Sequence, residues 1–253
     1  LREFSKRYRE EIGIRFKCLA EPATMAFGDV SDEKIRLLVE AGCTDIIIGI
    51  QSGSDRLNKE VYNRFITADQ VLKCAQILNK YKDKLTVMYD IISCNPYETN
   101  EDIIATIRLL QKIPKPYFLS VNNLIFFEGT PLYRKALEDG LLKTYNDEAS
   151  NLNYWDRWKH IKLKKKNPYL NLVLNMMRGP CTNRRYGMLP ASFINFLTKK
   201  NVLEYNVKNE KPTYIVGEVV DVMDDVREKL VKPVYRSMPV EFKVWYDKVR
   251  YKA

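Results

Sequence analysis

The sequence predicts an α/β fold in which a curved sheet of parallel strands is followed by a mainly helical C-terminal extension. Short apolar runs alternate with amphipathic stretches over residues 14–140, and the runs begin about 30 to 40 residues apart, the length of a βαβ unit. Residues 1–140 carry 20 basic and 20 acidic side chains, whereas residues 141–253 carry 22 and 12. We therefore predict two parts, residues 1–142 with the sheet and residues 143–253 as a basic extension.

Four apolar runs are the predicted strands. They are IRFKCLA (14–20), TDIIIGIQ (44–51), LTVMYDIIS (85–93) and YFLSVNNLIFF (117–127). The nearly continuous isoleucines of residues 46–50 are typical of parallel strands that are buried on both faces. Strands that alternate with helices join through right-handed crossovers. Four strands do not close a barrel, so we expect an open sheet that is half or more of a larger one.

The stretches between the runs have the marks of helix ends. Ser31 is predicted to cap the first helix, Thr67 and Gln70 form a capping box for the second, and Asn100 is predicted to cap the third. A shorter helix is expected over Leu132–Asp139.

The extension is broken into short elements by prolines. Residues 152–166 and 190–201 are predicted to be helical, while residues 214–222 fit a strand or a helix.

Membrane and metal proteins are disfavoured by the same sequence. No apolar run approaches the ~20 residues that cross a bilayer, and no signal peptide is visible, so we expect a cytoplasmic protein. The five cysteines are too far apart for a zinc or iron–sulfur motif, which predicts reduced thiols and no metal ligands in this chain. They are Cys18, Cys43, Cys74, Cys94 and Cys181.

Every predicted strand ends in polar residues. Glu21 follows the first strand, Gln51 and Ser52 end the second, Asp90 lies near the end of the third, and Glu128 follows the fourth. Ligands of parallel α/β sheets collect at these carboxyl ends, so the pattern predicts a binding site there.

Asp90 is the sharpest candidate because it interrupts the apolar run VMYDII. An unpaired buried carboxylate costs several kcal/mol, so it requires a ligand or a structural partner such as an arginine or a backbone amide. Gln51 alone fits a ligand-binding or a structural amide equally well.

Three segments carry motifs in order: IGIQSGSDRLNKEVYNR (48–64), YDIISCNPYETNED (89–102) and FFEGTPLYRKALEDGLL (126–142). They resemble, respectively, the fourth-strand signature, the fifth-strand motif and the segment after the sixth strand of one family, the radical S-adenosylmethionine (SAM) superfamily. The resemblance covers residues 14–142 and implies a partial TIM-like (β/α) barrel. The most similar branch has an upstream cobalamin-binding domain, so cobalamin is a further implied cofactor.

The resemblance also implies a role for individual residues. The implied SAM contacts are Glu21 for the amino group, Gln51 and Asp90 for the ribose hydroxyls, Ser52 for the pocket wall, Arg64 for the methionyl carboxylate, and Asn95 and Pro96 for the adenine. Asn95 departs from the family pattern, which has glycine before Pro96, and Glu128 stands where proline often precedes Gly129.

The implied activity is that of an enzyme which reductively cleaves SAM at a 4Fe-4S cluster to start radical chemistry on an unknown substrate. The CxxxCxxC motif that binds this cluster is absent from the sequence. We expect it in an upstream part of the same polypeptide, so that the fragment alone supplies part of the SAM site and is inactive. No catalytic residue is predicted.

Two other functions remain open. The segment from Arg157 to Arg185 has nine basic residues and no acidic one, which fits an RNA-binding or RNA-modifying protein. Alternatively, the chain is a catalytically inactive structural or partner-binding domain.

Overall fold

The computed structural model describes residues 1–26, 31–142 and 167–209. The strands form one seven-stranded sheet, with β1 to β7 side by side in chain order. Their bounds are β1 Phe16–Ala20, β2 Cys43–Gln51, β3 Thr86–Ser93, β4 Tyr117–Asn123, β5 Gly179–Cys181, β6 Arg185–Tyr186 and β7 Leu189–Pro190.

The helices precede, connect and follow these strands. Their bounds are α1 Arg2–Arg7, α2 Pro22–Ala26, α3 Ser31–Glu40, α4 Asp55–Glu60, α5 Ala68–Asn79, α6 Asn100–Lys112, α7 Pro131–Glu138, α8 Pro168–Met177, α9 Ala191–Leu197 and α10 Lys200–Lys208, with a π-helical turn Tyr8–Ile12 after α1. Among the described helices, none is long and apolar enough to span a bilayer.

The α/β fold and the four parallel strands are confirmed. β1, β2, β3 and β4 pair in parallel in that order. The free edge of β4 is not left open, because β5 pairs with it in the antiparallel direction and β6 and β7 continue the sheet. These strands are only two or three residues long, and β5 and β7 contain proline, so no apolar period marks them in the sequence.

Of the predicted helix caps, one is confirmed and one is corrected, while the side chain of Ser31 lies outside what the structure describes. The capping box of Thr67 and Gln70 is present. The third helix is capped by Thr99 instead of Asn100: the Thr99 side chain accepts from the backbone N–H of Asp102, and the Asp102 carboxylate accepts from the backbone N–H of Thr99. Thr99 is the better cap because Asp102 occupies the third helical position after it, so that the two residues accept hydrogen bonds from each other's backbone N–H groups.

The C-terminal extension is described only in part. The helix predicted over 190–201 is found as two helices, α9 and α10. The elements predicted over 152–166 and 214–222 lie outside the described residues. The basic segment 157–185 is described only from residue 167 onward, so RNA binding stays a prediction.

The main hydrophobic core, the larger of two clusters recorded among the described residues, lies between the sheet and the helices. The strands contribute Ile46, Ile48 and Ile50 of β2, Tyr89 and Ile91 of β3, and Leu119 and Val121 of β4. We call these residues the helix face of the sheet. The same core includes residues of α3, α5 and α6 and, from beyond residue 143, residues of α8 and α9. The predicted division at residue 142 stays a prediction, and packing is continuous across it.

The alternate residues of the same strands form the opposite side of the sheet, which we call the open face. It comprises Ile47 and Gly49 of β2, Met88 and Asp90 of β3, and Phe118 and Ser120 of β4. All six are only partly buried, and Leu19, the β1 neighbour of Ile47, is 79% exposed. The open face has an apolar row, Leu19–Ile47–Met88–Phe118, and nearer the carboxyl ends a row of Gly49, Asp90 and Ser120.

Candidate functional site

The chain makes a sharp change of direction at the carboxyl ends of two neighbouring strands. Gln51 ends β2 with a φ of 64° and Cys94 follows β3 with a φ of 55°. Residues other than glycine rarely adopt this left-handed conformation, and such residues cluster at binding sites. The two loops that begin here are residues 51–54 and 94–99, which we call the β2 loop and the β3 loop.

Three of the predicted site residues meet beside the β2 loop. The Nη2 atom of Arg64 donates to Oε1 of Glu21 at 2.8 Å. A Cβ atom built on Gly49 would lie 2.6 Å from Nε2 of Gln51 and 3.4 Å from Nη1 of Arg64. The Gln51 amide and the Arg64 guanidinium therefore both lie next to Gly49, and a larger residue at this position would clash with them.

Asp90 is the next residue across the sheet. It is the register partner of Gly49 on one side and of Ser120 on the other. Burial raises the pKa of Asp90, and a hydrogen bond with Ser120 opposes part of that rise. The structure thus brings Glu21, Gln51, Arg64 and Asp90 to one end of the open face, and we call these four residues the mouth.

The side chains of two other predicted residues, Ser52 and Asn95, are buried and form hydrogen bonds that hold the loops in place. Ser52 is 1% exposed, and its hydroxyl lies 3.1 Å from Oγ1 of Thr106 and accepts from the Ser54 N–H at 3.1 Å. Asn95 is 2% exposed; its Nδ2 donates to the Tyr62 hydroxyl at 2.8 Å and its Oδ1 accepts from the Tyr97 N–H at 2.9 Å.

The last of the predicted residues, Pro96, follows Asn95 and is half-buried. The side chains of Ser52 and Asn95 therefore shape the two loops through buried hydrogen bonds.

Sequence reasoning did not single out Glu98, a buried carboxyl group in the β3 loop. It is 4% exposed, and its Oε2 accepts from the Asn95 N–H at 3.4 Å. Burial raises the pKa of Glu98 to about 8. Its position in NPYET, three residues after Asn95, was the available signal, since a carboxylate at this spacing can close a turn by accepting a backbone N–H.

Asp102 of α6 was also missed, and it connects the two loops. Its Oδ1 accepts from the Ser54 hydroxyl at 2.5 Å and its Oδ2 from the Thr99 N–H at 2.9 Å, while Arg56 forms an ion pair with it. Burial alone would raise the pKa of Asp102, but the hydrogen bonds from Arg56, Ser54 and Thr99 outweigh that effect and lower it to about 2.

The described residues do not offer the ligands of an iron–sulfur cluster. All five cysteines are described and none forms a disulfide, and the shortest sulfur–sulfur distance recorded among them is 3.6 Å, between Cys18 and Cys43. No group of three or more potential metal ligands occurs in the described part of the chain. The mouth instead consists of a cation, two carboxylates and an amide, a set suited to a polar organic ligand with both charges.

A comparison with family models finds one match. Residues 2–110, less than half of the chain, match the model of the radical SAM superfamily. This span contains Glu21, Gln51, Arg64 and Asp90. No curated protein sequence matches the chain significantly.

Solved structures with a similar fold include two of TsrM, a radical S-adenosylmethionine methyltransferase from Kitasatospora setae. One has cobalamin and a 4Fe-4S cluster bound; it matches 55% of this chain and 27% of its own with 18% identity and a TM-score of 0.42. The other has tryptophan substrate and the SAM analogue aza-SAM bound; it matches 55% of this chain and 26% of its own, also with 18% identity and a TM-score of 0.42. The chain thus spans about a quarter of the length of these proteins.

Proposed function

We propose that this chain is part of a radical SAM enzyme and that the mouth binds SAM, because residues 2–110 match the model of the radical SAM superfamily. The observation that carries the proposal is the convergence of Glu21, Gln51, Arg64 and Asp90 at one end of the open face. These residues are up to 69 positions apart in the chain, so their meeting is a property of the fold.

The charges at the mouth fit the amino-acid part of SAM. The guanidinium of Arg64 is a planar donor suited to a carboxylate, and the Glu21 carboxylate is suited to an ammonium group. In the free chain these two side chains bind each other at 2.8 Å, with both partly exposed. A zwitterionic amino acid offers each of them a partner of the same chemistry.

The other two side chains of the mouth fit the nucleoside part. The Gln51 amide oxygen and the Asp90 carboxylate both accept hydrogen bonds, as two ribose hydroxyls require. The backbone from Ile92, near the end of β3, to Pro96 of the β3 loop would border the adenine. In this assignment Ser52 and Asn95 act by shaping the loops, because their side chains are buried and already hydrogen-bonded.

The activity of the whole protein is part of the same proposal. SAM bound in such a protein supplies radical chemistry after its reductive cleavage at an iron–sulfur cluster. This chain contributes residues that bind and orient SAM, and the cluster ligands are proposed to come from an upstream part of the same polypeptide. Cobalamin use, which the sequence resemblance implies, belongs to this proposal too.

Equilibrium binding of SAM to the 253-residue chain tests the assignment. We expect a dissociation constant on the order of 1 mM or tighter, since only part of the contacts is available. Gln51→Ala and Asp90→Ala should each weaken binding about tenfold, the effect of one lost hydrogen bond to a buried or charged group.

Asp45→Ala is the matched control. Asp45 is an acidic residue of β2, ion-paired with Lys17 on the surface and four residues before Gly49. This variant should bind SAM as the unchanged chain does. Absence of SAM binding, or equal binding by the Asp45 and Asp90 variants, would contradict the proposed function.

A further inference from the structure

The β2 and β3 loops each begin at a residue with a strained backbone, and contacts with the rest of the fold must stabilise that conformation. Gln51 and Cys94 are both in the left-handed region. A residue other than glycine persists in this conformation only where surrounding contacts fix it. Two elements connect the loops: α6, which lies behind the mouth and bonds to both, and α4, whose Arg56 donates to the Tyr97 carbonyl oxygen of the β3 loop at 3.2 Å.

Thr106 of α6 holds the β2 loop through its hydroxyl. Its Oγ1 donates to the carbonyl oxygen of Asp102 at 3.0 Å, so it acts as acceptor for the Gly53 N–H at 2.9 Å and for the Ser52 hydroxyl at 3.1 Å. The Ser52 oxygen in turn accepts from the Ser54 N–H. One hydroxyl on the helix therefore fixes three consecutive residues directly after Gln51.

The loop also lies against the helix backbone. A Cβ atom on Gly53 would come within 2.5 Å of the Thr106 Cα and 2.8 Å of the Ala105 carbonyl oxygen. These are backbone atoms that cannot move aside, so only glycine permits this approach. Thr106 can reach the loop amide for the same reason.

Asp102 holds both loops at once. It is 4% exposed, and it accepts from Ser54 in the β2 loop and from Thr99 at the end of the β3 loop. Arg56 neutralises it from the start of α4. A single buried carboxylate is thus hydrogen-bonded to both loops.

We propose that Asp102 and Thr106, which lie outside the mouth, are positioning residues that lock the β2 and β3 loops together and thereby hold Gln51 in its ligand-binding conformation. They act through Ser52, Gly53 and Thr99. The locking is a property of the free chain; its consequence for SAM rests on the proposed function.

Hydrogen exchange of single amides, followed by NMR on the full chain without ligand, tests the locking. In Thr106→Val the Gly53 and Ser54 amides should exchange about tenfold faster, the loss expected for one buried hydrogen bond, while the Thr99 amide is unchanged. Asp102→Asn should accelerate exchange at both Ser54 and Thr99. Thr106→Ser, which keeps the hydroxyl, should restore the original rates.

Two control variants separate positioning from general destabilisation. Ile107→Val removes one buried methyl group from the same helix and should lower the melting temperature without selective exchange at Gly53. Glu101→Gln changes the exposed carboxyl group beside Asp102 and should leave both loops unchanged. If Thr106→Val and Ile107→Val accelerate the same amides equally, or if Thr106→Ser behaves like Thr106→Val, the proposal is overturned.

SAM binding by the same variants distinguishes this inference from the proposed function. Thr106→Val should bind SAM about tenfold more weakly, and Ile107→Val and Thr106→Ser as the unchanged chain does. Selective exchange in chains that do not bind SAM at all would support the locking and refute SAM as ligand. If the unchanged chain binds SAM and Thr106→Val binds it with the same affinity, the role proposed for Thr106 is overturned.

Discussion

The helix face and the open face of the sheet are built from the same strands, yet they differ in almost every physical property. Ile46, Ile48 and Ile50 are fully buried beneath the helices. Ile47 and Gly49 lie between them in the chain, point to the other side and are only partly buried. The helix face is continuously apolar, whereas the open face turns from apolar to polar toward the carboxyl ends of its strands.

Because of this difference, neighbouring residues of one strand serve different purposes, one stabilising the fold and the next facing the ligand site. Burial of apolar surface stabilises the fold, and most of it occurs on the helix face. The open face contributes less to stability, which leaves its polar residues available for a ligand. A substitution on one face should therefore have little effect on the property that depends on the other.

Ile48→Ala should have the largest effect on stability. Ile48 is completely buried in the core, and replacing such a residue by alanine costs about 2–5 kcal/mol. Ile47→Ala, the same change one residue earlier on the open face, should cost less than half as much because Ile47 is only partly buried. Urea unfolding of both variants measures this; equal losses would refute the contrast between the faces.

Glu98→Gln tests a residue that combines burial with a titratable group. The pKa of Glu98 is about 8 in the folded chain against 4.5 for the unfolded one, so unfolding releases a proton between these pH values. Stability should therefore fall as pH rises from about 4.5 to about 8, by a total on the order of 2–4 kcal/mol from this group.

The glutamine variant should lose this part of the pH dependence, as measured by urea unfolding at several pH values. Glu101→Gln, at an exposed position nearby, should keep it. A pH profile of Glu98→Gln that matches the unchanged chain would show that Glu98 does not hold a proton when folded.

Two glycines sharpen the comparison further. Gly53→Ala would bring a methyl group against the backbone of α6 and should cost about 1–3 kcal/mol of stability. Gly49→Ala meets only the movable ends of the Gln51 and Arg64 side chains, so stability should change by less than about 1 kcal/mol. SAM affinity should nonetheless fall in Gly49→Ala, because those side chains are displaced. An unchanged affinity would indicate that they are not needed where they lie.

The smallest effect is expected for Lys17→Ala. Lys17 pairs with Asp45 at 3.4 Å and is largely exposed, and exposed ion pairs contribute about 0–1 kcal/mol. The loss should shrink further in high salt. A larger loss, independent of salt, would show that this end of the sheet is more tightly packed than its exposure indicates.

Most of the parallel sheet was predictable from the sequence. The runs around Ile46–Ile50 and Val87–Ile91 are apolar because those strands are buried, so composition alone located them. The antiparallel strands β5 to β7 were not predictable, since two or three residues carry no period. They form because β5 pairs with the edge of β4, a strand that is distant from it in the sequence.

The polar residues at the strand ends of the mouth can be found without a structure, because Glu21, Gln51 and Asp90 follow or lie within apolar runs. Which of these residues meet depends on folding: strand register places Gly49 beside Asp90, and a hydrogen bond joins Arg64 to Glu21. Folding also turns Ser52 and Asn95 into buried hydrogen bonds and lets α6 bond to both loops. Burial and periodicity are local properties of a chain, whereas the direction of a loop side chain depends on partners that are distant in the sequence.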